Sequence, residues 1–294
     1  SDVCSSDLNM TKSIRTVFVL LTAIIILLAF CTQKNKQQDN VYQCKVVDIY
    51  GKYLHFSLDD IQQCMSSLSG NAYTTIFQDS TLNILKKWHD EFGIVVSLYV
   101  QGDFKVNRKY AQELIDNSDW LKFGYHGTTA LRRKEDMHKF YKQVMDSVGS
   151  IAIIDQCPRI HYFHADHNTC MKLKELGCIG FLTCDDWSYN TAKRESNYYL
   201  SKKQNWILDE NNRLYDTENG TWFIKTDFRL EHIEQRWGSA GKAIEYYSKE
   251  LKQSKELIVF GHEWNFRDYL PQADSIFTWA RDEGFEFAFP MNKQ

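Results

Sequence analysis

Short apolar runs recur along this chain, separated by polar stretches of helical period. The runs are "YLHFS" (53–57), "IVVSLYV" (94–100), "LKFGYH" (121–126), "RIHYFH" (159–164), "IGFLTC" (179–184), "TWFIKTD" (221–227), "LIVFGH" (257–262) and "FEFAF" (285–289). Each is short, nearly continuous and rich in β-branched or aromatic residues, which reads as a strand buried on both faces. Between them lie amphipathic stretches such as 81–93, 134–148, 169–177, 239–254 and 272–284. Several of these end at Gly, as a helix C-cap does. Strand and helix in alternation predict an α/β fold: a distorted (β/α) barrel of seven or eight parallel strands. The rhythm breaks between Trp187 and Leu230. There "NWILDENNRLYD" (205–216) reads as an inserted β-hairpin turning at "ENN".

The N-terminal region has a different pattern. Lys12 and Arg15 precede an unbroken apolar run from Thr16 to Phe30, and Cys31 follows. The run is short for a membrane span and suits a signal-peptide core. "LLAFC" resembles a bacterial lipobox, with Phe30 bulkier than the usual small residue. An uncleaved single-pass anchor is the rival reading. Either one puts the rest of the chain outside the cytoplasm and tethered to a membrane. The nine residues before Met10 read as an artefact ahead of the basic region. Residues 32–50 begin with "TQKNKQQDN" and read as a flexible tether. Residues 51–294 are then one barrel-sized domain.

Composition changes this picture little. Of 294 residues 43% are hydrophobic and 25% charged, and the net charge is −3, with the basic residues scattered. A nucleic-acid partner is therefore not expected. Aromatics make up 14%, which suits a carbohydrate-facing surface but equally an aromatic-rich core. Six cysteines follow Cys31 without a C-x-x-C pair, so a zinc ribbon is not expected. Disulfides and buried thiols both remain open. "GSAGKA" (238–243) lacks the spacing of a phosphate-binding loop, and no Gly-x-Ser-x-Gly elbow exists.

The candidate chemistry lies at the strand ends. The first strand ends in Asp59-Asp60, the third in His126 and the fourth in His164. The fifth ends in Asp185-Asp186-Trp187, the sixth in Asp227 and the seventh in His262-Glu263. In a barrel these ends converge on one rim, where active sites are built. Asp227 and Asp103 read as turn or cap residues. Paired aspartates with three histidines on one rim read as a metal or catalytic site.

"HFSLDD", "FGYHGTT", "CDDW" and "IVFGHEW" occur in this order, and the order resembles the polysaccharide deacetylase (NodB-homology) superfamily of carbohydrate esterases. The resemblance covers about residues 51–294. It implies a divalent metal, zinc by preference, and hydrolysis of N- or O-acetyl groups on a carbohydrate. By resemblance Asp59 is the general base, Asp60 a metal ligand and His262 the general acid. His126 matches the first His of the family's H-x-x-x-H motif, but the second position is Ala130, which cannot bind metal. The stretch "HYFHADHN" lacks the expected Arg that orients the base and offers His164 and His167. His164 is our candidate for third ligand. The alternatives are His164 as partner of Asp59, or a site that has lost its metal. His167, Asp186 and Trp187 are expected to touch or support the substrate. A glycan-binding protein without catalysis, or a hydrolase of another bond using Asp59 and Asp186, are the competing functions.

Overall fold

The computed structural model describes residues 51–127, 133–185, 187, 197–250 and 255–291. The apolar run at 16–30, the tether, Cys44, Ala130 and Asp186 lie outside the described residues. Among the described residues, no helix is long and apolar enough to cross a membrane.

The chain alternates strand and helix. It runs β1 (Lys52–Ile61), α1 (Gln63–Ser69), α2 (Ser80–Phe92), β2 (Val96–Val100), α3 (Ala111–Asp116), β3 (Leu121–Tyr125), α4 (Arg133–Ser147), α5 (His167–Glu175) and β4 (Gly180–Leu182). It continues α6 (Lys202–Asn211), β5 (Arg213–Asp216), β6 (Thr221–Ile224), β7 (Phe228–Arg229), α7 (Ile233–Trp237), α8 (Ala240–Glu250), β8 (Glu256–His262), α9 (Leu270–Asp282) and β9 (Phe285–Phe287). Local chemistry sets many of the boundaries. Asp79 caps α2 by accepting from Thr81 N at 2.9 Å and Leu82 N at 3.1 Å, and Gly93 ends it at φ 73°.

The main sheet has the order β3-β2-β1-β8-β7, all parallel, and β9 pairs in parallel with the start of β1. A second sheet has the order β4-β6-β5, with β4 and β6 parallel. The two sheets are joined at both flanks. Next to β3, Phe123 N donates to Ile153 O at 2.7 Å, and Asp155 N donates back to Phe123 O at 2.9 Å. The same segment then meets β4, where Ile179 N reaches Gln156 O at 2.9 Å and Leu182 N reaches Pro158 O at 3.1 Å. On the other flank β6 runs on into β7, and Asp227 N donates to Ile258 O of β8 at 2.9 Å. The two mostly parallel sheets, linked at both flanks and interleaved with helices, form the α/β fold expected from the strand–helix alternation. Burial on both faces explains the continuous apolar runs. Tyr99, Cys157, Leu182, Trp222, Ile224 and Ile258 pack together in the core.

Two expectations need correction. "RIHYFH" is not a strand: His161–Phe163 form a 3-10 turn in which Tyr162 and Phe163 take φ 56° and 51°. "NWILDENN" is not the first arm of a hairpin but the body of α6. Ser201 and Gln204 form a reciprocal capping box at its start, and Asn212 ends it in the left-handed region at φ 59°. The asparagines that resemble a hairpin turn are a helix C-cap. The hairpin that does exist is β5–β6, paired antiparallel from Arg213↔Ile224 to Asp216↔Thr221.

The five described cysteines, Cys64, Cys157, Cys170, Cys178 and Cys184, are all buried. Asp227 is structural, as expected: it is buried, and its Oδ2 accepts from Ile258 N at 2.8 Å. Asp103 pairs with Lys139 at 2.5 Å.

Candidate metal centre

The site begins with a defect in β1. Its pairing with β2 runs Leu58↔Leu98 and then Ile61↔Val100, so three steps on β1 match two on β2. This is a β-bulge, and Asp60 occupies it at φ 57°. In a regular strand, adjacent side chains point to opposite faces. The left-handed Asp60 breaks that alternation and lets both aspartates serve one rim. Aspartate tolerates this conformation better than most residues.

Asp60 meets three histidines. Its Oδ1 lies 3.3 Å from His126 Nε2 and 3.8 Å from His161 Nε2, and its Oδ2 lies 3.9 Å from His262 Nε2. Ligand atoms of Asp60, His126 and His161 all fall within 4.8 Å of one another, a spacing that can hold a metal ion. Burial disfavours the charged Asp60 carboxylate, but contact with His126 and the charges of His126, His262 and His161 outweigh it and bring its pKa to about 2.

The tautomer of His126 sharpens the case for a metal. Its Nδ1 lies 2.5 Å from the carbonyl oxygen of Arg159. A carbonyl can only accept, so Nδ1 carries a proton, and in the neutral ring, the form a metal ligand takes, Nε2 carries a lone pair. That lone pair faces a carboxylate oxygen. Both His126 Nε2 and Asp60 Oδ1 are buried without a hydrogen-bond partner. Two acceptors facing each other in a buried place fit a cation between them. The donor set of two imidazoles and one carboxylate fits a divalent transition ion such as zinc.

The histidine grouped with Asp60 and His126 is His161, not His164. The chain leaves its extended course at Tyr162, so His161 is the residue at the turn. His161 N donates to His126 O at 2.9 Å, which ties the two ligands together through the backbone. His164 lies past the turn with its side chain exposed, and is not in the cluster. His167 is elsewhere too: it opens α5, 3.5 Å from Glu218 and with its ring 5.2 Å from Tyr199. Trp187 is half-buried, its ring 5.0 Å from that of His232.

Asp59 sits beside the cluster, 1% exposed, with Arg159 Nε 3.9 Å from its Oδ2. Arg159 is fully buried, and its guanidinium lies 3.9 Å from the ring centre of Phe260. An arginine beside Asp59 is thus present after all, two residues upstream of the stretch that lacks it. The signal was legible in "CPRIHYF", where Pro158 and Arg159 adjoin.

His262 lies across from Asp59, its register partner on β8. Its Nδ1 hydrogen-bonds the Glu231 carboxylate, which leaves Nε2 facing Asp60. Burial lowers the pKa of His262, but the Glu231 hydrogen bond and charge outweigh it, so the net shift is upward. Glu231 is buried, which alone would raise its pKa; His262 and Arg229 bring it down to about 2. No sequence pattern marked Glu231. Glu263, the residue after His262, is structural: it accepts from Gln62 N, Gln63 N and Cys64 N at 2.6–2.7 Å and so caps the start of α1. This pins the end of β8 to the end of β1. Gly261 is required here, because a Cβ would lie 2.3 Å from the Tyr269 hydroxyl oxygen. That hydroxyl donates to His262 O at 2.7 Å.

No family model matches the chain, and no curated protein matches it. Among solved structures, the chain is similar to one described as a polysaccharide deacetylase from Mycobacterium smegmatis, with 13% identity, 84% of this chain and 88% of that one covered, and a TM-score of 0.47. It is also similar to the catalytic domain of a peptidoglycan N-acetylglucosamine deacetylase from Eubacterium rectale, with 9% identity, coverage of 86% and 94%, and a TM-score of 0.42. A third is a polysaccharide deacetylase from Bacillus cereus, with 11% identity, coverage of 83% and 94%, and a TM-score of 0.38. At such scores and identities these likenesses assign this chain neither a family nor an activity.

Proposed function

We propose that this protein is a divalent-metal-dependent hydrolase that removes acetyl groups from a carbohydrate. The observation that carries the reading is the Asp60–His126–His161 cluster flanked by a carboxylate, Asp59, and a carboxylate-held imidazole, His262. Asp60, His126 and His161 would hold the ion. The chemistry a divalent ion supplies in such a place is Lewis acidity, which makes water acidic near neutral pH and polarises an acyl oxygen.

The chain's own residues divide the proton work. Asp59 takes the proton from the attacking water, with Arg159 as its buried counter-charge. His262 keeps its Nδ1 proton on Glu231 and presents Nε2 to the leaving amine or alcohol. A carboxylate partner on the far nitrogen stabilises the imidazolium until Nε2 gives its own proton to the leaving group. With His161 beside Asp60 and His126, three candidate ligands stand together without a histidine at position 130, which weakens the alternative of a glycan-binding protein without catalysis. A glycosidic pair of Asp59 and Asp186 gains no support, because Asp186 lies outside the described residues. We further propose export and lipid tethering at Cys31, on the strength of the apolar run at 16–30 and the cysteine after it.

The test is acetate release from acetylated oligosaccharides by the purified protein, before and after chelation and metal restoration. Activity that disappears with chelator and in Asp59→Asn supports the reading. Release of reducing ends without acetate, or no turnover with any divalent ion, overturns it. Tethering is checked by labelled fatty-acid incorporation, which Cys31→Ser should abolish.

A further inference from the structure

His161 needs a hold of the kind His126 has. The His126 ring is fixed through Nδ1, which meets the Arg159 carbonyl. His161 sits on a 3-10 turn, and its N–H donates to His126 O at 2.9 Å. A backbone bond does not fix the rotation of a side chain. The His161 ring also stacks on Tyr162, with ring centres 4.1 Å apart and planes 20° apart. Stacking sets the plane of the ring but not which nitrogen points at Asp60.

Gln101 supplies a polar group at those nitrogens. Its Nε2 lies 3.2 Å from His161 Nε2 and 3.4 Å from Nδ1, and its Oε1 accepts from Gln62 Nε2. The two glutamines each follow a member of the register pair Ile61↔Val100, on the neighbouring strands β1 and β2. Gln62 is itself anchored, because its backbone N–H donates to the buried Glu263 carboxylate at 2.6 Å. Two strand ends thus carry the amide to the ring. A donor at His161 Nε2 occupies the lone pair that a cation needs. The two ends of an amide are nearly the same shape, so both glutamines can turn over and keep the bond between them. Gln101 Nε2 then donates to Gln62 Oε1, and Gln101 Oε1 faces His161. An oxygen there accepts from Nδ1–H and leaves the Nε2 lone pair toward Asp60, whose Oδ1 is 3.8 Å away.

We infer that Gln101, backed by Gln62, is a positioning residue of the metal centre: with a divalent ion bound, its amide oxygen holds the Nδ1 proton of His161 and fixes which nitrogen faces Asp60. The inference rests on the reading of Asp60, His126 and His161 as ligands, and metal binding tests it without turnover. The full-length protein is stripped of metal, and its zinc affinity is measured by competition with a chromophoric chelator. Gln101→Met keeps the length of the side chain and removes the amide. It should weaken zinc binding about ten- to a hundredfold. Gln101→Glu, which keeps an acceptor oxygen, should bind zinc at least as well as the wild type. The melting temperature of the stripped protein should be the same in both variants as in the wild type, which tells a lost hold on the ligand from a damaged fold. Gln101→Leu replaces Gln101→Met if that variant does not fold. The role is overturned if the Met variant binds zinc as the wild type does, or if the Glu variant loses as much as the Met variant. It is equally overturned if zinc affinity falls only together with the melting temperature of the stripped protein. A wild type that binds neither zinc, cobalt nor nickel would overturn the metal-centre reading itself, and the role of Gln101 with it.

Discussion

Arg159 Nε lies 3.9 Å from Asp59 Oδ2, and both side chains are almost wholly removed from solvent. A buried charge beside a buried counter-charge is costly to break from one side, because the survivor stays desolvated and alone. Arg159→Met should therefore destabilise the protein by about 3–5 kcal/mol, since Asp59 then loses its buried guanidinium partner. Urea unfolding measures this. A loss below about 1 kcal/mol would mean that the two groups do not depend on each other in the fold.

The ligand assignment separates two histidines three residues apart. His161→Ala, Asp60→Ala and His126→Ala should each strip the metal from the purified protein, whereas His164→Ala should retain it. Elemental mass spectrometry reads the content directly. Metal lost from His164→Ala and kept in His161→Ala would reverse the assignment.

The hydrogen bond and charge of Glu231 raise the His262 pKa, so Glu231→Gln should lower it. If His262 is the acid that serves the leaving group, the alkaline limb of the pH–rate profile should move to lower pH in this variant. The sign follows from the raised pKa of His262: the protonated form persists to higher pH with Glu231 than without it. An unshifted alkaline limb would remove His262 from that role.

His55 predicts acid sensitivity that has nothing to do with the metal centre. It is buried on β1, and burial first, then the charge of Arg159, lower its pKa from 6.5 to about 3. The folded state thus resists a proton that the unfolded chain accepts. Stability is complete above pH 6.5 and falls as pH drops from there towards 3, with a slope of at most about 1.4 kcal/mol per pH unit from this group. In His55→Leu the fall between those limits should be shallower when unfolding is followed at several pH values. An identical fall would assign the acid sensitivity to other groups.

Much of this was legible in the chain. The runs at 53–57, 94–100, 121–126 and 257–262 are strands because continuous apolar sequence has nowhere to go but between two covered faces. Asp59, Asp60, His126 and His262 stood out because ionisable residues at successive strand ends meet on one rim of a barrel. The errors share a cause. "RIHYFH" looks like a strand, yet its chain turns left-handed at Tyr162, so it is His161 and not His164 that falls in the cluster with Asp60 and His126. In "DENNRLYD" asparagine suits both a hairpin turn and a helix C-cap, and the capping box at Ser201 decides between them.

The sequence by itself determined the strand–helix alternation and which residue types stand at the strand ends. Those follow from local hydrophobic period and chain direction. Only the tertiary structure decided that His161 joins Asp60 and His126, that Arg159 faces Asp59, and that Glu231 holds His262. Each of those pairings joins residues brought together by the packing of strands distant in sequence or by a backbone turn. A bulge at Asp60 and a left-handed turn at Tyr162 set them to within an ångström or two, and no period in the sequence encodes that distance.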